Sequence, residues 1–162
     1  MKKSGFTLVE ILIVVIILGI LAAIVIPQFT SASESAKESN LKSDLLTLRN
    51  QLELYRVQHG DRYPWQLDDF DDTSLYIVTQ LTSRTDDQGN IGDPTVDKKF
   101  KYGPYLERMP TNLFVQERGK PGDQFEVDGT EGSGDFGWFV NTTTGKVNAN
   151  SDSVLFPDHW DF

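Results

Sequence analysis

One apolar segment near the N-terminus constrains this chain more than any other feature. Phe6 to Ile26 consists almost wholly of aliphatic and small residues, and it contains a single carboxylate, Glu10. A helix of about 20 apolar residues spans the hydrocarbon core of a bilayer. Inserting the apolar side chains contributes about 5–10 kcal/mol, whereas Glu10 near the helix end costs at most about 3 kcal/mol. The segment is therefore predicted to be a transmembrane helix that contains a carboxylate.

The basic residues around this segment predict its orientation. Lys2 and Lys3 precede it, and the next basic residue is Lys37. The positive-inside rule then places the N-terminus in the cytoplasm and the rest of the chain outside. A cleaved secretory signal peptide is the competing interpretation. It is disfavoured because its apolar core would be shorter, and because Pro27–Phe29 is a poor cleavage site for signal peptidase.

The N-terminal residues resemble a known processing site. Lys2–Gly5 followed by Phe6–Glu10 is similar to the cleavage segment of type IV prepilins and type II secretion pseudopilins, and so is the later Ala22–Pro27. This resemblance implies that a prepilin peptidase cleaves between Gly5 and Phe6 on the cytoplasmic face. It also implies that the new amino group of Phe6 is N-methylated.

Glu10 is predicted to be an assembly residue. In the family that the chain resembles, the glutamate at this position neutralises the N-terminal amine of a neighbouring subunit during filament assembly. The position of Glu10 in an apolar segment supports the same prediction, because a carboxylate in hydrocarbon is stabilised by a positively charged partner. Glu10 lies about one helical turn from Phe6, so two alternatives stay open. The carboxylate could pair with the amine of its own chain, or it could reach toward the membrane interface.

Charge and cysteine content narrow the class of protein. The chain has 162 residues, a formal charge of −9 and no cysteine. The part beyond the anchor is long enough for one helix and one small globular domain. An acidic domain argues against nucleic acid as a partner. Many type IV adhesion pilins have a disulfide-closed loop, which this chain cannot form, so it resembles the major pseudopilin of type II secretion more closely.

The helix is predicted to continue beyond the membrane. Pro27 is expected to bend it rather than end it, because a helical pattern resumes afterwards and ends at His59-Gly60. An apolar stripe with helical spacing predicts an amphipathic second half that packs on a small sheet; a coiled coil is the alternative. The stripe consists of Leu41, Leu45, Leu48, Leu52 and Tyr55, and Leu46, Leu54 and Val57 are expected to widen it.

The rest of the chain predicts a small α+β head. Leu75–Leu81 is predicted to be helical and residues 82–99 to form a loop, and turn signals separate three predicted strands at Asp123–Val127, Phe136–Val140 and Lys146–Asn148. The segment from Tyr105 is similar to one in major pseudopilins, although Asn112-Leu113 stands where the family tends to have Asp-Pro. The predicted fold is pilin-like α+β, with a long N-terminal helix packed on a small antiparallel sheet. The predicted regions are a leader (1–5), a long helix (6–60, transmembrane over 6–26) and a globular head (61–162).

Four carboxylates suggest a cation site in the head. Asp123, Asp128, Glu131 and Asp135 lie in a glycine-rich segment, and calcium takes six to eight oxygen ligands from such loops. Major pseudopilins have a calcium site in a comparable loop, so the resemblance implies calcium here. The spacing is not that of an EF-hand. A solvated acidic turn is the alternative.

These observations predict a structural protein. No nucleophile elbow, phosphate loop or dinucleotide fingerprint is present in the sequence, so we expect no enzyme activity. The resemblance implies the major pseudopilin of a type II secretion system, anchored once in the bacterial inner membrane with a periplasmic head. It would form a periplasmic or extracellular filament, and its partners would be other copies, minor pseudopilins, prepilin peptidase and an inner-membrane assembly platform. A type IV pilus subunit and a membrane-anchored binding domain that never polymerises are the alternatives.

Overall fold

The computed structural model describes residues 6–66, 73–130, 132–160 and 162, so the predicted leader lies outside the described residues. The chain forms two compact units, Met1–Ser39 and Asn40–Phe162. The elements, in chain order, are α1 (Leu8–Gln58), a 3-10 helix (Pro64–Gln66), α2 (Thr73–Thr82), α3 (Leu113–Gln116), β1 (Phe125–Val127), β2 (Trp138–Asn141), β3 (Lys146–Ala149) and a second 3-10 helix (Pro157–Trp160). This layout confirms the predicted α+β pilin-like class.

The first unit consists of the N-terminal part of α1. Pro27 lies inside the helix, which continues to Gln58, so the proline does not end it. All of the large apolar side chains from Phe6 to Phe29 are exposed. This part of the chain therefore has an apolar surface that needs a lipid or protein environment.

The second unit is built on the predicted apolar stripe of α1. The five stripe residues are all buried, which confirms that this face packs into the head. Leu46, Leu54 and Val57 are instead 59%, 45% and 74% exposed, so the prediction that they widen the stripe was wrong. Adjacent residues on a helix point about 100° apart, and the head covers only the side on which the stripe lies.

The sheet has three strands in the order β1-β2-β3, and it is mixed rather than antiparallel. β2 and β3 form the predicted antiparallel hairpin, with Asn141 opposite Lys146. β1 runs parallel to β2, with Phe125 opposite Trp138, so the antiparallel prediction was wrong for this pair. Parallel neighbours require a crossover connection instead of a tight turn, and the segment 128–137 supplies it.

Asn112 shows why this chain departs from the family pattern at this position. Its side chain caps α3 by accepting a hydrogen bond from Phe114 N at 3.1 Å. Its amide also donates to Gly137 O at 3.0 Å and to Ser151 Oγ at 3.1 Å. A carboxylate could accept at the cap but could not donate to the Gly137 carbonyl. Asparagine therefore links α3 to the start of β2.

Arg49 joins α1 to the last strand. Its Nε donates to Val147 O at 3.0 Å, and its Nη2 donates to Asn148 Oδ1 at 3.1 Å and Phe162 O at 2.8 Å. The side chain is half-buried. A polar residue beside the apolar stripe thus holds the sheet and the C-terminal residue against the helix.

Candidate assembly segment

Thr7 and Glu10 form a reciprocal capping arrangement at the start of α1. Glu10 Oε2 accepts hydrogen bonds from Thr7 N at 2.8 Å and from Thr7 Oγ1 at 2.7 Å. Glu10 N in turn donates to Thr7 Oγ1 at 3.3 Å. Thr7 is the N-cap residue and Glu10 the third helical residue, which is the spacing of a capping box. This role was not among the predictions from the sequence, although the Thr-x-x-Glu pattern carries the signal.

The Glu10 carboxylate retains the capacity to bind a cation. Both of its hydrogen bonds to Thr7 use Oε2. A carboxylate has about four acceptor positions, so Oε1 can still accept a bond from an ammonium group. Phe6, whose amino group would be the new terminus after the predicted cleavage, is 83% exposed and precedes Thr7 directly. Gly5, the other residue of the predicted cleavage site, lies outside the described residues.

The helical surface around Glu10 is apolar and uncovered. Among the described residues, α1 is the one helix that is long and apolar enough to cross a membrane, and its most apolar stretch, near the N-terminus, is not buried. Glu10 is the only charged residue between Phe6 and Ser33. A single carboxylate on such a surface can pair with a cation supplied by another chain, because the sequence from Phe6 to Ser33 contains no cation.

The residues that were predicted to bind calcium include two, Asp128 and Asp135, that contact different partners in the structure. Asp128 accepts hydrogen bonds from Thr142 N at 2.7 Å and from the Thr142 hydroxyl, and Asp135 pairs with Lys120 Nζ at 2.7 Å. Asp123 is exposed, and Glu131 lies outside the described residues. Within the described ranges, no three metal-binding side chains come together. This set as described does not form an ion cage, and calcium binding stays a prediction.

Another carboxylate, which was not predicted from the sequence, organises this loop. Glu126 accepts hydrogen bonds from Thr130 N at 3.1 Å, from the Ser133 hydroxyl and from Asn150 Nδ2 at 2.6 Å. Asn150 is fully buried, and its Oδ1 accepts from Gly132 N at 3.0 Å. Glu126 and Asn150 therefore hold the crossover between β1 and β2 in place. No local sequence signal connects two residues that lie this far apart in the chain.

The comparisons with known proteins agree with this arrangement. The model of the prokaryotic N-terminal methylation motif matches residues 1–26. A type II secretion system core protein G from Pseudomonas aeruginosa is 34% identical over 160 residues, which cover 99% of this chain and 96% of that protein. The chain belongs to the type II secretion system core protein G family. The resemblance seen in the N-terminal residues is thereby confirmed for the whole chain.

Other core protein G relatives support the assignment. The protein from Vibrio cholerae is 30% identical over 134 residues, which cover 78% of this chain and 77% of that protein. The one from Aeromonas hydrophila is 30% identical over 109 residues, which cover 67% and 66%. No solved structure matches the chain. Membership of this pseudopilin family implies membrane association and assembly with other pseudopilins.

Proposed function

We propose that this chain is the major pseudopilin of a type II secretion system. In this proposal a prepilin peptidase removes Met1–Gly5, and the amino group of Phe6 is methylated. The mature chain stays in the inner membrane through α1 until an assembly platform adds it to a filament. The role is structural, without catalysis. The observation that carries the proposal is the single carboxylate, Glu10, in the first turn of α1, where the N-terminal stretch of the helix is otherwise apolar and uncovered.

Glu10 would direct assembly by pairing with the Phe6 amine of a neighbouring copy. An unpaired carboxylate in an apolar environment is costly, and a charged partner relieves that cost. The Thr7 hydrogen bonds lower the cost within one chain, yet they do not neutralise the charge. A copy whose amine reaches Glu10 would therefore be favoured over any other arrangement of the same apolar helices.

The apolar surface of α1 supplies the driving force for staying in lipid or in a filament. Side chains from Leu8 to Phe29 are uncovered in the single chain. Lipid covers them before assembly, and the helices of other copies would cover them afterwards. Because either environment is apolar, extraction does not require exposing the helix to water.

The topology follows from the charge distribution. Lys2 and Lys3 would hold the N-terminus in the cytoplasm, where the peptidase acts, and the acidic head would lie in the periplasm. The partners in this proposal are other copies, minor pseudopilins, the prepilin peptidase and the inner-membrane assembly platform.

Mass spectrometry of the native protein tests the processing step. We expect the mature chain to begin at Phe6 and to bear one methyl group on its amine. A membrane-anchored binding domain that never polymerises would instead keep Met1–Gly5. Recovery of an intact leader from cells with an active prepilin peptidase would contradict the proposal.

Substitution of Glu10 tests the assembly step. Glu10→Ala and Glu10→Gln should both abolish sheared filaments while cleavage and membrane insertion continue, because each variant lacks the charge that pairs with the amine. Glu34→Ala is the matched control, since Glu34 is an exposed carboxylate on the same helix beyond the apolar segment. Filaments of normal yield from Glu10→Gln would show that the charge is not needed.

A further inference from the structure

Asp44 is a carboxylate that the fold leaves without a partner. It lies in α1, one helical turn from the buried stripe residues Leu41 and Leu48, and it is half-buried. Among the carboxylates that the structure describes, it alone is half-buried and makes neither a hydrogen bond nor an ion pair. Burial raises the pKa of Asp44, because the environment disfavours the charged form. A cation beside this carboxylate would offset that cost.

The head also has cations without partners. Within the described ranges, three exposed basic side chains make no ion pair, hydrogen bond or ring contact, namely Arg84, Lys98 and Arg108. The ammonium group of Lys98 is more strongly hydrated than a guanidinium group, so it is less suited to a half-buried carboxylate. Arg108 directly follows the exposed Glu107, whose carboxylate partly offsets its charge. Arg84 has neutral neighbours in the chain and is therefore the best matched of the three.

The backbone around Arg84 is held in place by the rest of the head. Arg84 O accepts a hydrogen bond from Gly92 N at 3.1 Å. The next residue, Thr85, is buried, and its backbone N donates to Tyr102 O at 3.1 Å. Its Oγ1 lies 3.0 Å from His59 Nε2. The backbone that bears the Arg84 side chain is thus ordered before any partner binds, which reduces the entropy lost on association.

Asp44 and Arg84 of one chain are too far apart to pair with each other. From Asp44, α1 continues to Gln58, which is about 21 Å along the helix axis at about 1.5 Å per residue. Arg84 lies near that end of the helix, because its neighbour Thr85 contacts His59. This separation exceeds the reach of one arginine side chain. Both charged groups are therefore available to another copy.

We propose that the Asp44 carboxylate of one copy pairs with the Arg84 guanidinium of the next copy. This inference rests on the proposed filament function and names one contact between copies. The family assembles with other pseudopilins, and a chain of charge −9 repels its copies in general, so contacts are favoured where opposite charges meet. A planar guanidinium group can donate to both carboxylate oxygens at once, which provides the hydrogen bonds that Asp44 lacks in the single chain.

The contact joins two different patches, so it is heterologous. A row of copies keeps one unpaired Asp44 and one unpaired Arg84 at its ends, and such contacts generate rings or open helical filaments instead of closed dimers. In a row of parallel copies, the pair also displaces each copy along the helix axis, because its two groups lie at different heights along α1. The pair acts together with the helix pairing at Glu10.

Charge exchange tests the pair in the full-length protein. Asp44→Arg and Arg84→Glu should each lower the yield of sheared filaments about tenfold, because each brings like charges together. The two substitutions combined should restore the yield. Asp44→Arg combined with Lys98→Glu or with Arg108→Glu is the matched control and should not restore it. Normal yield from a single variant, no rescue in the double variant, or rescue by a control would overturn the inference.

Asp44→Asn separates assembly from folding. The amide removes a partly desolvated charge, so the head should be at least as stable as the wild type in urea unfolding. Filament yield should nevertheless fall, because an amide cannot form the ion pair. Asp158→Asn is the matched control, since Asp158 is an exposed carboxylate outside α1, and it should change neither property. Normal filament yield from Asp44→Asn would contradict the pair, and a loss of stability together with yield would assign Asp44 a structural role instead.

Carbodiimide cross-linking identifies the partner directly. In Arg84→Lys filaments, the substituted ammonium group keeps the charge, and its amine can form an amide bond with the activated Asp44 carboxyl group. We expect a covalent dimer whose linked peptides contain residues 44 and 84, and adding Asp44→Asn should abolish it. Filaments that give no such dimer would contradict the pair. Failure of the proposed function itself would appear differently, as an uncleaved leader and no filaments from the unmodified chain.

Discussion

Thr7 and Glu10 satisfy each other's hydrogen-bonding groups in the first turn of α1, with Thr7 N 2.8 Å from Glu10 Oε2. One carboxylate therefore performs a local task, capping the helix, and remains able to bind a cation through its other oxygen. The local task fixes the position of Glu10 relative to Phe6 before any partner arrives. In the proposed filament, preorganisation of this kind would favour one stagger of neighbouring copies.

Thr7→Ala should impair assembly although it leaves Glu10 in the chain. The substitution removes the hydroxyl that both donates to and accepts from Glu10, and the loss of an N-cap costs about 1 kcal/mol. We expect lower filament yield with normal leader cleavage, measured by shearing and mass spectrometry. Thr7→Ser keeps the hydroxyl and should assemble normally. Equal yields from the alanine and serine variants would show that the cap has no part in assembly.

His59 should make the stability of the head sensitive to acid. The side chain is fully buried, its Nδ1 lies 2.8 Å from Tyr55 O and its Nε2 lies 3.0 Å from Thr85 Oγ1. Burial lowers the pKa of His59 from its usual 6.5, so the unfolded chain binds the proton more readily than the folded chain. The contribution of His59 to the free energy of unfolding is therefore fully present above about pH 6.5. It is lost as the pH falls below that value, by at most about 1.4 kcal/mol per pH unit.

Melting temperatures of the detergent-solubilised protein between pH 5 and 8 check this prediction. The matched variant is His59→Asn, whose side-chain amide can still donate toward Tyr55 O but does not titrate. It should be less stable at pH 7.5 and should show a smaller decrease on acidification. Parallel curves for the two proteins would assign the acid sensitivity to other groups.

The regular spacing of its apolar residues made the buried face of α1 predictable from the sequence. Contacts between residues that lie far apart in the chain were not predictable in this way. The helical periodicity of Leu41, Leu45 and Leu48 alone predicts a buried face. Glycines in the sequence indicate the ends of the strands. The parallel pairing of β1 with β2 is accompanied instead by a contact between residues far apart in the chain, the 2.6 Å hydrogen bond from Asn150 Nδ2 to Glu126 Oε2. A strand's direction relative to its neighbour is not encoded in its own alternation, so the sequence predicted the strands but not their mixed arrangement.

The candidate assembly segment, like the fold, could be predicted from the sequence only in part. Glu10 is conspicuous because charge is rare in an apolar run, and the resemblance supplies its expected partner. The use of Thr7 as a cap was encoded locally and was overlooked. The Arg49 contacts could not be foreseen, since the helical pattern places an arginine next to the stripe without indicating that it reaches β3.

Arg49→Met should destabilise the head more than its partial exposure suggests. The substitution keeps most of the apolar stem but removes the donors to Val147 O, Asn148 Oδ1 and Phe162 O. A buried acceptor left without a partner costs about 1–3 kcal/mol, so a decrease of that size is expected in urea unfolding. Arg108→Met is the control, because Arg108 is exposed. A change within about 0.5 kcal/mol for Arg49→Met would show that water replaces these bonds.

Calcium should raise the melting temperature of the metal-stripped protein if the predicted loop residues bind it. The Lys120–Asp135 pair is not an obstacle, because both side chains are about half exposed and such surface pairs contribute at most about 1 kcal/mol. Calcium at a hundred times its dissociation constant would stabilise the folded chain by about 2.7 kcal/mol. Magnesium should have a smaller effect, since it requires a tighter octahedral set of ligands.

The loop residues distinguish specific binding from general screening of an acidic surface. Asp135→Asn should reduce the calcium-induced rise, because it removes a charged ligand while keeping an oxygen. Asp158→Asn makes the same charge change outside the loop and should leave the rise intact. An unchanged melting temperature on adding calcium, or equal effects of the two substitutions, would favour the solvated acidic turn. In that case Glu126, through its bonds to Ser133 and Asn150, would hold the crossover closed without an ion.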